Sequence, residues 1–355
     1  MNQHDFIYEA LPTRVVFGDG TLAKLPAELE RLGALRALVL STPGQAASAE
    51  NIAEQLGSIC AGTYSQAVMH TPVDVSEKAV QHVQKLEADC LVAIGGGSTT
   101  GLGKAIALRT GLPQIVIPTT YAGSEMTSIL GETRDGVKTT TRHPNIQPKI
   151  VIYDVGLTLG LPAAISATSG LNAMAHAIEG LYAQDRNPVI SLMAEEGIAA
   201  LARALPTIIH TPTDQKARSD ALYGAWLCGI CLGSAGMALH HKLCHVLGGA
   251  FDLPHAETHA VMLPHTVAYN TPGAPEAMVR AARALGSDNA AKGLWSLNAQ
   301  LHVPSSLREL GMPEAGIDLA VQLALKNPYW NPRPLGEDGL RGLLRRAWAG
   351  EAPAA

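Results

Sequence analysis

Six of the thirteen histidines, His240, His241, His245, His255, His259 and His265, fall between positions 240 and 265. Imidazole changes charge near neutral pH, donates or accepts hydrogen bonds and ligates metals, so this density points to acid–base, anion-binding or metal chemistry. On a helix, His241 and His245 are four residues apart and share a face, whereas His240 points away and is read as peripheral. Upstream, Asn172 and His176 have the same spacing within Gly170–Glu179, GLNAMAHAIE. Two helices can thus aim four polar side chains at one point. Three imidazoles and a further donor would suit a divalent transition metal if that donor were a carboxylate. Here it is Asn172, a neutral amide, so the set is read as holding a substrate in place of an ion. Cys228 and Cys231 lie nearby but sit in an apolar helical stretch with no second pair, and are read as small buried residues.

A second chemistry-bearing region is glycine-rich. Residues 93–105, AIGGGSTTGLGKA, follow an apolar strand and open a helix. Glycines there let backbone amides approach a pyrophosphate, and a helix N-terminus favours its charge. Gly95, Gly96, Gly97, Ser98 and Thr99 are therefore candidate cofactor contacts. The loop matches neither G-x-G-x-x-G nor the Walker pattern, which argues against an ordinary Rossmann enzyme or a kinase. A further loop, IPTTYAGSEMT at 117–127, brings Thr119, Thr120, Tyr121 and Ser124 to the same edge of a sheet, where open α/β sheets bind ligands. After the strand at 37–40 stand Ser41 and Thr42, where an acid usually holds the adenosine ribose. With no carboxylate to repel a 2′-phosphate, NADPH is expected to be accepted alongside NADH.

These loops need a scaffold. Short apolar runs at 14–17, 37–40, 90–94, 114–117 and 150–152 alternate with helical periodicity such as Leu22, Leu25, Leu29 and Leu32, the pattern of a parallel sheet with crossover helices. Beyond about residue 157 strand signals stop, and long helical stretches follow at 170–182, 188–205 and 218–247. The reading is an α/β dinucleotide-binding domain with a parallel sheet over 1–155. An all-α domain over 156–355 carries the histidines, with the active-site cleft between them. At 355 residues and a net charge of −5, with no basic stripe, the chain is not expected to bind nucleic acid. Five scattered cysteines suit a reducing compartment, and the first twenty residues carry no export signal. A cytoplasmic protein is expected. The apolar run at 225–239 is too short for a membrane span and reads as a buried helix.

Taken together, the loops at 95–104 and 118–133, the segment His241–His255 and the NPYWNPRP run at 327–334 resemble the iron-containing alcohol dehydrogenase superfamily over essentially the whole length. Within it the chain is similar to the maleylacetate-reducing branch. In metal-dependent relatives an Asp and three His bind iron or zinc, and that motif falls on Asn172, His176, His241 and His255. Because Asn replaces Asp, the resemblance implies a degenerate site with no metal expected. Gly101 departs likewise from an Asp common in relatives.

The resemblance implies NADH- or NADPH-dependent reduction of the carbon–carbon double bond of maleylacetate to 3-oxoadipate in aromatic-compound degradation, with chloromaleylacetate a further candidate substrate. Its partner is a small dicarboxylate, and the enzyme is expected to be a homodimer. His245 is the first choice of general acid and His241 the second. Asn172, His176 and His255 are placed around one substrate carboxylate, with Lys138 and Arg142 as candidates for the other. The competing reading is a metal-dependent (Fe or Zn) dehydrogenase of a small alcohol or aldehyde.

Overall fold

The computed structural model describes residues 6–134 and 137–354. It divides into two compact units, one of residues 10–161 and the other of residues 6–9 with 162–354.

The first unit alternates strand and helix in the order β1 (Arg14–Gly18), α1 (Leu25–Leu32), β2 (Ala37–Leu40), α2 (Ala46–Leu56), β3 (Cys60–Tyr64), α3 (Val73–Lys85), β4 (Cys90–Gly95), α4 (Gly97–Thr110) and β5 (Gln114–Pro118). It continues with a hairpin of β6 (Ile129–Arg134) and β7 (Val137–Arg142), then β8 (Ile150–Asp154). Six strands form one parallel sheet in the order β1-β8-β5-β4-β2-β3. β2, β4, β5 and β8 are buried along their whole length, as near-continuous Val/Ile/Leu runs require when helices cover both faces. One face packs Val39, Val92, Ile94, Ile115, Ile117 and Ile152 against Leu25, Leu29 and Ile52. Local signals set the helix ends: α1 begins with a proline in its first turn and stops at Gly33, whose φ of 70° is left-handed.

After β3 the chain returns to the other side of β2 to lay down β4. The C-terminal ends of β2 and β4 therefore flank the point where strand order reverses, the place where open α/β sheets bind ligands.

Two features of this unit depart from the periodicity reading. β3 is a half-buried edge strand, CAGTY, with too little apolar content to announce itself. The strands expected from periodicity also omit a hairpin, in which β6 pairs antiparallel with β7 from Ile129 opposite Arg142 to Arg134 opposite Val137. Its consecutive threonines, Thr139–Thr141, suit a pleated backbone although they bury no core.

The second unit carries α5 (Ala163–Tyr182), α6 (Pro188–His210), α7 (Gln215–Ser234), α8 (Leu239–Phe251), α9 (His255–Asn270), α10 (Pro275–Ala284), α11 (Ala290–Gln300), α12 (Gly316–Leu325) and α13 (Glu337–Ala349), with no strand among the described residues. The two units divide at Leu161/Pro162. Asp154 ties the turn after β8 to the sheet, accepting hydrogen bonds from the amides of Gly20, Leu22 and Gly156. The stretch 218–247 is not one helix, and the run 225–239 is not a single buried helix. α7 ends at Ser234 and α8 starts at Leu239, bent by 94°. The break occurs at Ala235–Ala238, where Ala238 leaves helical geometry and its amide turns to the Glu179 carboxylate. Cys228 and Cys231 are fully buried in α7, with Cys228 against Gly197 of α6. No single helix among the described residues is long and apolar enough to cross a membrane.

Candidate active site

The sheet unit presents its chemistry through backbone. β4 ends at Gly95 with φ 147°, and a Cβ there would sit 2.5 Å from Thr99 Oγ1 and 2.7 Å from Gln45 Oε1. Only glycine lets the chain turn so tightly into α4. Gly96 is the non-helical residue before the helix, with no side chain capping the end. The first amides of α4, at Gly97, Ser98 and Thr99, therefore have no helical acceptor and form a ready anion site. A Cβ on Gly97 would meet nothing within 4 Å, so the approach is open. The buried Thr99 Oγ1 has no hydrogen-bond partner.

The second loop is held against the first. Thr119 donates its amide to the Gly95 carbonyl at 3.1 Å, and its hydroxyl accepts from Gln45 Nε2 at 2.9 Å. Thr120 lies directly over Gly96. Lys104 of α4 is fully buried and donates to the Ser124 carbonyl at 2.5 Å, Thr127 Oγ1 at 2.8 Å and the Ile129 carbonyl at 2.9 Å. Burial brings its pKa down to about 7 even though Glu125 nearby pulls the other way. Lys104 thus fastens the loop carrying Thr119–Ser124 to the helix that opens at the glycines.

Tyr121 is fully buried, and so is Ser41, whose hydroxyl is committed to Ser65 at 2.8 Å and the Thr42 carbonyl at 3.1 Å. Those two shape the edge from behind. Thr42, Gly96, Ser98, Thr120 and Ser124 are only partly buried. At Gly101 a Cβ would sit 2.4 Å from the Thr71 hydroxyl, so a larger residue there would need Thr71 to move.

The helical unit presents its chemistry through side chains. Asn172 and His176 lie one turn apart on α5 and both are buried. α8 supplies His240, His241, Cys244 and His245, and α9 supplies His255 and His259. The rings form a contiguous assembly, with centroids 5.0 Å apart for His176 and His241, 5.0 Å for His241 and His259, 4.4 Å for His255 and His259, and 6.4 Å for His245 with either His241 or His255.

Glu179, fully buried one helical turn past His176, organises this assembly. Its carboxylate accepts from the amides of Ala238 and His240 at 2.9 Å each, from Tyr182 Oη at 3.0 Å and from His241 Nδ1 at 2.7 Å. Burial alone would push this carboxyl up, but the His241 bond and charge, His240 and the Ala238 amide hold it down to about 2. It therefore serves as an anion at the N-terminus of α8, where the helix dipole favours one. With the carboxylate ionised, Nδ1 of His241 must carry its proton, which leaves Nε2 for a ligand.

Four buried atoms here have no partner: Asn172 Oδ1, His176 Nδ1, His241 Nε2 and His259 Nε2. Burial, reinforced by neighbouring imidazoles, holds His176 and His259 well below the usual histidine range, so both rest neutral. His245 is exposed and His255 half-buried.

The structure thus brings together Asn172, His176, His241, His245 and His255 and adds Glu179 and His259. His240 is not peripheral. It is fully buried and bonds His259 at 2.9 Å and Thr266 at 3.0 Å. The NPYWNPRP run buttresses the same helices, through reciprocal amide bonds between Asn331 and Asn270 at 2.8 and 3.1 Å. Arg142 lies exposed on β7 of the sheet unit, and the Lys138 side chain lies outside the described residues. Glu179 was visible in the sequence only as the end of the motif containing Asn172 and His176. His259 was visible only as one member of the cluster.

Comparison with known proteins matches both units. The iron-containing alcohol dehydrogenase profile covers residues 12–155, and the C-terminal profile of the Fe-containing alcohol dehydrogenase family covers residues 166–348. The chain belongs to the iron-containing alcohol dehydrogenase family. Within this family it is 57% identical to a maleylacetate reductase of Rhizobium sp. (strain MTP-10005) over 98% of this chain and 99% of that one. It is 58% identical to a maleylacetate reductase of Burkholderia cepacia over the same shares. The crystal structure of maleylacetate reductase from Agrobacterium tumefaciens superposes with a TM-score of 0.96 at 57% identity, covering 99% of this chain and 100% of that one.

The name of the iron-containing alcohol dehydrogenase family implies an iron, and the residues at its position do not fit one well. Three imidazoles and a carboxamide offer no anionic ligand. Among the described residues, the donors that converge within 4.8 Å of one another are those of His240, Cys244 and His259, not those of His176, His241 and His255. The glycine cradle, by contrast, fits a dinucleotide: open space over Gly97, unbonded helix-end amides and an orphaned Thr99 hydroxyl.

Proposed function

We propose that this chain is an NADH- or NADPH-dependent oxidoreductase that reduces the carbon–carbon double bond of maleylacetate, giving 3-oxoadipate, with chlorinated maleylacetates as further substrates. Relatives at 57–58% identity over nearly the whole chain carry the maleylacetate reductase name, which favours this over a small-alcohol dehydrogenase. The observation that carries the reading is the buried histidine assembly fixed by Glu179, with four unpartnered polar atoms that a substrate would satisfy.

When bound, the reduced nicotinamide supplies a hydride to the alkene carbon beta to the ketone. The amides opening α4 hold the pyrophosphate, while Lys104 keeps the adjoining loop in place. Negative charge then gathers on the substrate's ketone oxygen as an enolate, and His241 Nε2 faces it. Glu179 orients that ring and compensates an imidazolium there, and preorganised donors of this kind are worth several kcal/mol. His176, His255 and Asn172 hold a substrate carboxylate, with Arg142 or Lys138 as candidates for the other. His245, exposed and able to exchange protons with water, delivers the proton to the enolate carbon. No metal is assigned a role in these steps.

Ser41 and Thr42 bring no carboxylate to the end of β2, which supports acceptance of NADPH. A strong NADH preference in the ratio of specificity constants would count against that. We also place the enzyme in the cytoplasm, as a homodimer acting in aromatic-compound degradation. The test is stoichiometric: each maleylacetate consumed should oxidise one NADH and yield one 3-oxoadipate, identified by mass. Reduction of the ketone to an alcohol instead would overturn the assignment.

A further inference from the structure

His240 and Cys244 lie one turn apart on α8, and His259 reaches them from α9. All three are buried, and their donor atoms lie within 4.8 Å of one another. His240 Nε2 is 2.9 Å from His259 Nδ1 and 3.7 Å from Cys244 Sγ. A tetrahedral zinc with ordinary bond lengths would set its ligands about 3.3 Å apart for two nitrogens and about 3.6 Å for nitrogen and sulfur. These two spacings need to change by only a few tenths of an ångström.

Proton positions also permit it. The Thr266 hydroxyl lies 3.0 Å from the Leu263 carbonyl and 3.2 Å from that of Met262, so its single proton can be spent there and its oxygen can accept from His240 Nδ1. His240 Nε2 is then a bare lone pair, oriented by a second bond of the kind that ligating histidines have. His259 frees Nδ1 by moving its proton to Nε2, which is buried without a partner.

We propose that His240, Cys244 and His259 form a binding site for a soft divalent cation of the zinc type, distinct from the position that binds metal in the family. Binding displaces one proton, from the Cys244 thiol, and forms one metal–sulfur and two metal–nitrogen bonds without redox change. Charge closes as well: the cation and thiolate together carry one positive charge, next to the buried Glu179 carboxylate that bonds the His240 amide. A fourth coordination position is left for water.

Cobalt(II) tests this, because only a cysteine-containing site gives a thiolate-to-cobalt charge-transfer band. Full-length protein stripped of metal and titrated with cobalt chloride should develop that band to a stoichiometric end point, and zinc should bleach it. Cys244→Ala and His259→Asn should each abolish it with the circular dichroism spectrum unchanged, while Asn172→Ala should leave it in place. Lack of the band in the unaltered chain would overturn the proposal. So would a band that survives both substitutions, which would assign the metal to other residues. Should Cys244→Ala fail to fold, His259→Asn alone decides between these outcomes.

Discussion

On the function proposed above, the two units bind ligands in opposite ways. At the ends of β2 and β4 the binding groups are amides and glycines, and side chains such as Lys104 and Gln45 only hold loops in place. Across α5, α8 and α9 the binding groups are side chains, and the backbone contributes by closing on Glu179. A backbone site tolerates almost any side chain except where the chain must approach closely. A side-chain site depends on each residue's proton and partner. Substitutions in the two units should therefore fail differently, one in cofactor affinity and the other in turnover.

The largest effect is expected at His245. His245→Ala removes the proposed proton donor and should lower kcat by about 10²- to 10⁴-fold, while NADH affinity, followed by fluorescence titration, stays within a few fold. Activity within a few fold of the unaltered enzyme would show that another group delivers the proton. Glu179→Gln comes next. It keeps the shape but removes the charge that fixes His241, a charged hydrogen bond worth about 1.5–3 kcal/mol. A kcat loss of about 10- to 100-fold is expected, with NADH affinity again preserved.

In the sheet unit the order reverses. Gly95→Val would drive Cβ into Thr99 and Gln45 at a positive φ, and should weaken NADH binding by about tenfold or more. An unchanged NADH affinity would mean that the cradle is not formed by this turn.

A separate effect, spread over the helical unit, is on stability. His240, at about 3, and His176 and His259, well below the ordinary 6.5, resist protonation when folded, whereas the unfolded chain takes up protons below about 6.5. Their contribution is therefore complete above that pH and is lost as pH falls toward 3. Glu179, held at about 2 against an ordinary 4.5, adds a loss of the same sign below 4.5. Thermal unfolding should show Tm falling steadily below pH 6.5, and a flat profile down to pH 4 would contradict the buried neutral histidines.

The same contrast governs what could be read from the sequence. The glycine cradle was legible because a strand, a run of small residues and a helix are contiguous, so one stretch of chain holds the whole turn. The i, i+4 pairs Asn172/His176 and His241/His245 were legible for a similar reason. Glu179 was not, because three of its four donors come from Ala238, His240 and His241, about sixty residues away, and meet it only when α8 breaks from α7. His240 was misjudged because helical spacing shows which face a residue occupies but not what packs against that face; here α9 buries it. β3, β6 and β7 escaped notice because edge and hairpin strands bury little, leaving hydrophobic periodicity with little to report.

The central claim, that fixed histidines stabilise the enolate without a metal at the family's site, is tested most directly by one assay. Purified protein is given NADH and freshly generated maleylacetate, with and without prolonged EDTA treatment, and the metal content of the same batch is measured. Rapid NADH oxidation at a rate unchanged by chelation is the result predicted. No oxidation with maleylacetate, together with iron- or zinc-restored activity on a small alcohol or aldehyde, would contradict it and make Asn172 a working metal ligand.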